Sequence, residues 1–166
     1  NWEADFPAPI TKIVLVDIFG CKFVEYECSY LLTYITSNFM NKRLLITGSI
    51  LGFLGVVIGA FGAHGLEKLV DADAIATFET AVKYQIYHAL LMLLVASFAL
   101  SEKTKKVLHI LILVGVILFS GSIYGLATNV LTGFDFTTIG FVTPIGGALL
   151  ITAWGVLIVK FFQMKK

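Results

Sequence analysis

Apolar positions fall in long blocks along this chain, not at the two-residue period of a strand. LLITGSILGFLGVVIGAFGA (44–63) contains no charge. YQIYHALLMLLVASFAL (84–100) is shorter, but the stretch from Phe78 to Val82 extends it. VLHILILVGVILFSGSIYGLA (107–127) and GFVTPIGGALLITAWGVLIVKFF (140–162) follow. A helix needs roughly 20 apolar residues to cross about 30 Å of hydrocarbon. The pattern therefore predicts an all-α integral membrane four-helix bundle with spans at 44–63, 78–100, 107–127 and 140–162. Four such blocks leave too little polar surface to cover a water-soluble core. Lys160 lies close enough to the end of the last block to snorkel to the interface.

The first 39 residues have another texture. Pro7, Pro9 and mixed charges come first, and Lys12, Asp17 and Lys22 interrupt the apolar positions that follow. Residues 13–24 are β-branched and aromatic enough for a short strand, and 30–39 for an interfacial helix or strand. MNKRLL (40–45) reads as the natural start of the membrane domain. The expected organisation is a separate N-terminal extension, 1–39, outside the bundle and a four-span domain, 40–166. IVLVDIFGCK (13–22) makes a poor signal or lipoprotein box, because Asp17 breaks its apolar core and Phe19 stands where a small residue is preferred. Cys21 and Cys28 lack metal-type spacing, and two free thiols are expected ahead of a disulfide.

Composition agrees with the pattern. The chain is 58% hydrophobic and 14% charged, with a mean hydropathy of +0.91; soluble domains are about a quarter charged. A net charge of +1 argues against a nucleic-acid binder that depends on a basic surface. Where the charges fall matters more than their sum. Lys42, Arg43, Lys103, Lys105, Lys106, Lys160, Lys165 and Lys166 fall on one side of the predicted bundle. The other side has Lys68 and Lys83 beside Glu67, Asp71, Asp73, Glu79 and Asp135. The positive-inside rule then places the residue-40 side and the C-terminus in the cytoplasm, and the 64–83 and 128–139 connections outside.

Two groups of residues stand out within the spans. Gly48, Gly52, Gly55, Gly59 and Gly62 recur at alternating steps of four and three, which puts them on one helical stripe. Small residues let helix backbones approach closely in lipid, so the stripe calls for an internal neighbour or a second protomer. Gly121 with Gly125, and Thr143 with Gly147, repeat the spacing. The second group is polar. His64, Tyr84, Gln85, His88, Ser120, Ser122, Tyr124 and Thr143 all map to the outer part of the predicted topology. Tyr84, Gln85 and His88 share a helical face, and polar groups inside a membrane turn from lipid toward partners. A shared pocket is one reading. The other is structural: hydroxyls bonded one turn back, His64 capping the end of the first span, and tyrosines anchoring at the interface. His109, near the inner end, reads as an interfacial residue. Asp71 or Asp73 can cap the helix that carries Gln85, and Glu79 and Lys83 form a favourable i,i+4 pair.

Four stretches in order, GAFGAHGLE (59–67), FETAVKYQIYHAL (78–90), FSGSIYGLA (119–127) and TPIGG (143–147), resemble the small membrane proteins of domain-of-unknown-function family 423, which are transmembrane protein 256-like. The likeness runs from about residue 40 to residue 162 and covers His64, Gly65, Tyr84, Gln85, His88, Ser120, Gly121, Ser122, Tyr124, Thr143, Pro144 and Gly147. It implies a four-helix integral membrane protein and brings no reaction, substrate or cofactor with it.

No nucleophile–base–orienter set, phosphate loop or carboxylate pair is present in the sequence. The expected function is a non-catalytic accessory or structural subunit of a membrane complex. Its partners would be the lipid bilayer and a second copy of the chain or other membrane subunits, with no cofactor and no metal. One alternative is a small transporter or channel component binding a solute or proton at the polar pocket. Another is a metal, haem or quinone site on His64 and His88, a thin ligand set.

Overall fold

The computed structural model describes residues 23–163, with side chains from Met40 onward. Its four α-helices are α1 (Phe23–His64), α2 (Ala72–Ser97), α3 (Glu102–Ala127) and α4 (Val142–Gln163). The stretch 30–39 is helical, as are Phe23 and Val24, where a strand was the expectation. The remainder of that strand, the 13–22 segment and Cys21 lie outside the described residues, and so does the side chain of Cys28. All contacts below belong to one compact unit, Ile35–Lys166.

Each break between helices has a local cause. Asp71 is extended, and its carboxylate accepts from the Ala74 N–H at 2.8 Å, satisfying a donor that the first turn of α2 leaves free. At the far end Phe98 is extended, with ψ 143°. The helix therefore stops at Ser97, before its apolar run does. Ser101 then starts α3, its hydroxyl accepting from Thr104 N at 3.4 Å. Pro144 stands in the first turn of α4, where its missing N–H is no loss.

Three helices are long and apolar enough to cross a membrane, in the segments Met40–Lys68, Glu102–Ala127 and Phe136–Gln163. The predicted 78–100 span is not among them. Lys83, Gln85 and His88 dilute its first half, so α2 takes its place by packing more than by hydropathy. It lies against α1 along Gly48–Gly62, and α3 packs on both α2 and α4. Leu44, Met92, Leu108, Ile112 and Leu157 are fully buried in the main core. A smaller cluster of Leu66, Phe78 and Ala127 closes the His64 end. Phe53, Val56, Ile151 and Trp154 point outward, the arrangement expected when the solvent is hydrocarbon. With three such helices and an apolar exterior, this is a multi-pass membrane protein.

These contacts also fix two levels along α2. Phe78 lies level with Gly62 at the His64 end, and the Ala96 carbonyl is bonded by Lys105 at the other. At 1.5 Å per residue the two levels are about 27 Å apart.

Candidate functional site

The glycine stripe on α1 faces α2. A Cβ on Gly48 would come within 2.9 Å of Leu93 and 3.1 Å of the Ala89 carbonyl. One on Gly55 would meet Ile86 at 2.8 Å, one on Gly59 Val82 at 3.2 Å, and one on Gly62 the Phe78 ring at 2.9 Å. Gly52 is looser, 3.8 Å from Ala89. Of the two neighbours the sequence left open, the internal one occupies this face. Elsewhere the positions differ from expectation. Gly121 has nothing within 4 Å, and Gly147 makes ordinary contact with Phe119. The close approaches belong to Gly146, against the Phe119 backbone, and Gly115, 2.6 Å from Leu150. Spacing identifies a stripe but not the rotation of its helix, so Gly146 stands where Gly147 was expected. Gly125 lies under the Phe136 ring, 2.5 Å from a Cβ position.

The polar set is largely brought together, in pairs. Gln85, buried, donates from Nε2 to the Leu51 carbonyl of α1 at 2.8 Å and accepts at Oε1 from the Tyr124 hydroxyl of α3 at 3.0 Å. The Tyr124 ring packs on Phe78, centroids 4.9 Å apart. Ser120 donates to the Ala81 carbonyl at 2.9 Å, joining α3 to α2. Ser122 and Thr143 share a 2.7 Å hydrogen bond between α3 and α4. His88 is 5% exposed and its Nδ1 lies 2.8 Å from the Tyr84 carbonyl. Tyr84 is 42% exposed, so it rims the set; its ring stacks beside His88 and touches Phe119. His64 does not join them. It is exposed at the end of α1, because the chain turns there into a short 3-10 segment, Leu66–Lys68, that buries Leu66 instead.

Three features were not foreseen. Lys105 is 4% exposed; its ammonium donates to Asn41 Oδ1 at 2.7 Å and to the Ala96 carbonyl at 3.2 Å. It therefore satisfies a carbonyl at the free end of α2 while fastening α1. His109 is more than an interfacial residue, since its Nε2 lies 3.1 Å from Thr47 Oγ1, which also contacts Met92 Sδ at 2.8 Å. The third feature is a lock in the α3–α4 connection. Asp135 Oδ1 accepts from Thr137 Oγ1 at 2.7 Å, from Thr137 N at 3.0 Å and from Asn129 Nδ2 at 3.2 Å. Asn129 Oδ1 in turn accepts from Phe136 N at 2.8 Å. The Thr137 hydroxyl first, then its N–H and the Asn129 amide, hold the Asp135 carboxyl below the usual range. An Asn and an Asp six residues apart, just ahead of Phe136, were the available signal; the sequence reading took 128–139 only as an outward-facing connection. Among the described residues no group of three or more metal-ligating side chains occurs.

The arrangement can be set beside known proteins. The family described as "protein of unknown function (DUF423)" matches residues 58–147. A UPF0382 membrane protein of Haemophilus influenzae is 35% identical over 130 residues, covering 76% of this chain and 98% of the relative. The UPF0382 inner membrane protein YgdD of Escherichia coli is 34% identical over 135 residues, 80% of this chain and 95% of the relative. YwdK of Bacillus subtilis, another UPF0382 membrane protein, is 35% identical over 123 residues, 71% and 94%. No solved structure matches significantly. With four helices, a membrane-apolar exterior and relatives matched over nearly their whole length, the chain belongs to the DUF423 family of membrane proteins.

Proposed function

We propose that this protein is a non-catalytic accessory or structural subunit of a membrane complex. The observation that carries the reading is how its interior polar side chains are used. Gln85 bonds α1 and α3 at once, Ser120 closes on α2, Ser122 on Thr143, and Lys105 on Asn41 and Ala96. Groups occupied in this way hold helices in register; none is paired as nucleophile and base. With the glycine face of α1 turned to α2, assembly contacts fall on outward apolar surfaces such as Phe53 and Val56 of α1 or Ile151 and Trp154 of α4.

The proposed orientation puts the Lys105 end in the cytoplasm. Lys42, Arg43, Lys103, Lys105, Lys106 and Lys160 gather there, as the positive-inside rule requires. The E. coli relative is named an inner membrane protein, which supports placement in a membrane of that kind. Crosslinking in intact membranes followed by native mass spectrometry tests the reading. A defined species larger than one chain is expected. A lone monomer at every concentration rejects it.

A further inference from the structure

We propose that a groove between α1 and α2, beside the Glu79–Lys83 ion pair, binds one phospholipid with a zwitterionic head that carries a primary ammonium, the phosphatidylethanolamine class. The groove has a volume of about 100 Å³, with Gly59, Gly62, Phe78 and Val82 on its floor and Glu79 and Lys83 at its rim. Apart from those two charged residues, every side chain lining it is apolar. Gly59 leaves space beside Val82, which a Cβ there would approach to 3.2 Å. Ala63, Gly59 and Val56 follow at helical steps of four and three, so they share one face of α1, and Val56 is exposed. The groove therefore runs out onto the apolar exterior of the bundle, the surface that lipid covers. It has room for a short stretch of one hydrocarbon chain and none for a bulky ligand.

Charge chooses the head. Lys83 Nζ donates to Glu79 Oε2 at 3.1 Å, and the two side chains are 58% and 59% exposed. Among the described residues no other hydrogen bond holds either side chain, so Glu79 Oε1 and two of the three ammonium protons are open to an outside partner. An exposed pair of this kind is weakly bound, and it opens to admit a partner's charges at little cost. Its own charges cancel, and a zwitterion matches both: the lipid ammonium meets the Glu79 carboxylate, and the lipid phosphate meets the Lys83 ammonium. The surroundings favour the ammonium. Glu67, Asp71, Asp73, Glu79 and Asp135 stand at this end of the bundle against Lys68 and Lys83, a balance that repels an anionic head. A primary ammonium also donates charge-assisted hydrogen bonds to a carboxylate, whereas the quaternary ammonium of phosphatidylcholine has no N–H to give.

The test is native mass spectrometry of the full chain in detergent micelles, titrated with palmitoyl-oleoyl phosphatidylethanolamine, phosphatidylcholine and phosphatidylglycerol, which share their chains and differ only in the head. The ethanolamine lipid is expected to fill one site at concentrations about tenfold below the choline lipid, the scale of a charge-assisted hydrogen bond, and below the anionic glycerol lipid as well. Glu79→Gln should remove this preference. Ala63→Phe, which sets a ring in the groove from an exposed position, should abolish the preferred site. Asp73→Asn, which neutralises an exposed carboxylate outside the groove, should leave the preference unchanged. Should Ala63→Phe not fold, Glu79→Gln decides. Equal binding of the ethanolamine and choline lipids, tightest binding of the glycerol lipid, or a preference that survives in Glu79→Gln overturns the proposal. So does an Ala63→Phe variant that binds lipid as before but loses the species larger than one chain, since the groove then belongs to a protein neighbour. The lipid titrations do not bear on the subunit reading, which the crosslinking experiment addresses separately.

Discussion

Asp135 and Asn129 show how two short side chains can order a connection that hydropathy treats as featureless. Between them they accept from two backbone N–H groups and one hydroxyl, and the result seats the Phe136 ring over Gly125. The carboxyl titrates below its usual value, so the sign of its pH dependence is fixed. The contribution is complete above the unfolded value of about 3.9 and is lost as pH falls through the lower folded value. Amide protection factors at Phe136 and Thr137 should therefore hold steady from neutral pH to about pH 5 and then fall. In Asp135→Asn, protection should be weaker and flat across the same range; hydrogen exchange read by NMR or mass spectrometry checks both. Gln85 makes the complementary point inside the membrane. Its amide has a donor end and an acceptor end, and the helices on either side supply one partner for each.

At the level of whole helices, the glycines divide into those that touch a neighbour and those that do not. A methyl on Gly146 would collide with the backbone of Phe119, which cannot swing aside as a side-chain tip can. Gly146→Ala should destabilise by about 1–3 kcal/mol, as overpacking does. Gly121→Ala, opening onto empty space, should stay within about 0.5 kcal/mol of the parent. Reversible unfolding in mixed micelles measures the difference. Much of the helix layout was legible from the chain: block length located α3, α4 and the C-terminal half of α1, and Asp71 marked the start of α2. The facing of each helix was not. Rotation is set by side-chain fit across the interface, so spacing found the α1 stripe but missed Gly115 and Gly146 on the α3–α4 contact. Lys105 was counted only among the basic residues of the predicted cytoplasmic side; its burial depends on Asn41, distant in sequence. His64 misled for the opposite reason: the fold turns away just after it.

For the molecule as a whole, the asymmetry between its two ends carries the main expectation. In a background with Cys21 and Cys28 replaced by serine, a membrane-impermeant thiol reagent should label Thr132→Cys in intact cells and Lys103→Cys only after permeabilisation. The reverse pattern would invert the proposed orientation. The Lys105 fastening also has a consequence for biogenesis. Its hydrogen bond to Asn41 joins positions 64 residues apart, and it also holds the last turn of α2. A ribosome that has delivered α1 and α2 has therefore not yet delivered the group that ties their ends together. The nascent hairpin stays unlatched at that end until the third helix emerges, and the insertion machinery must shelter the Asn41 amide and the bare Ala96 carbonyl through that interval.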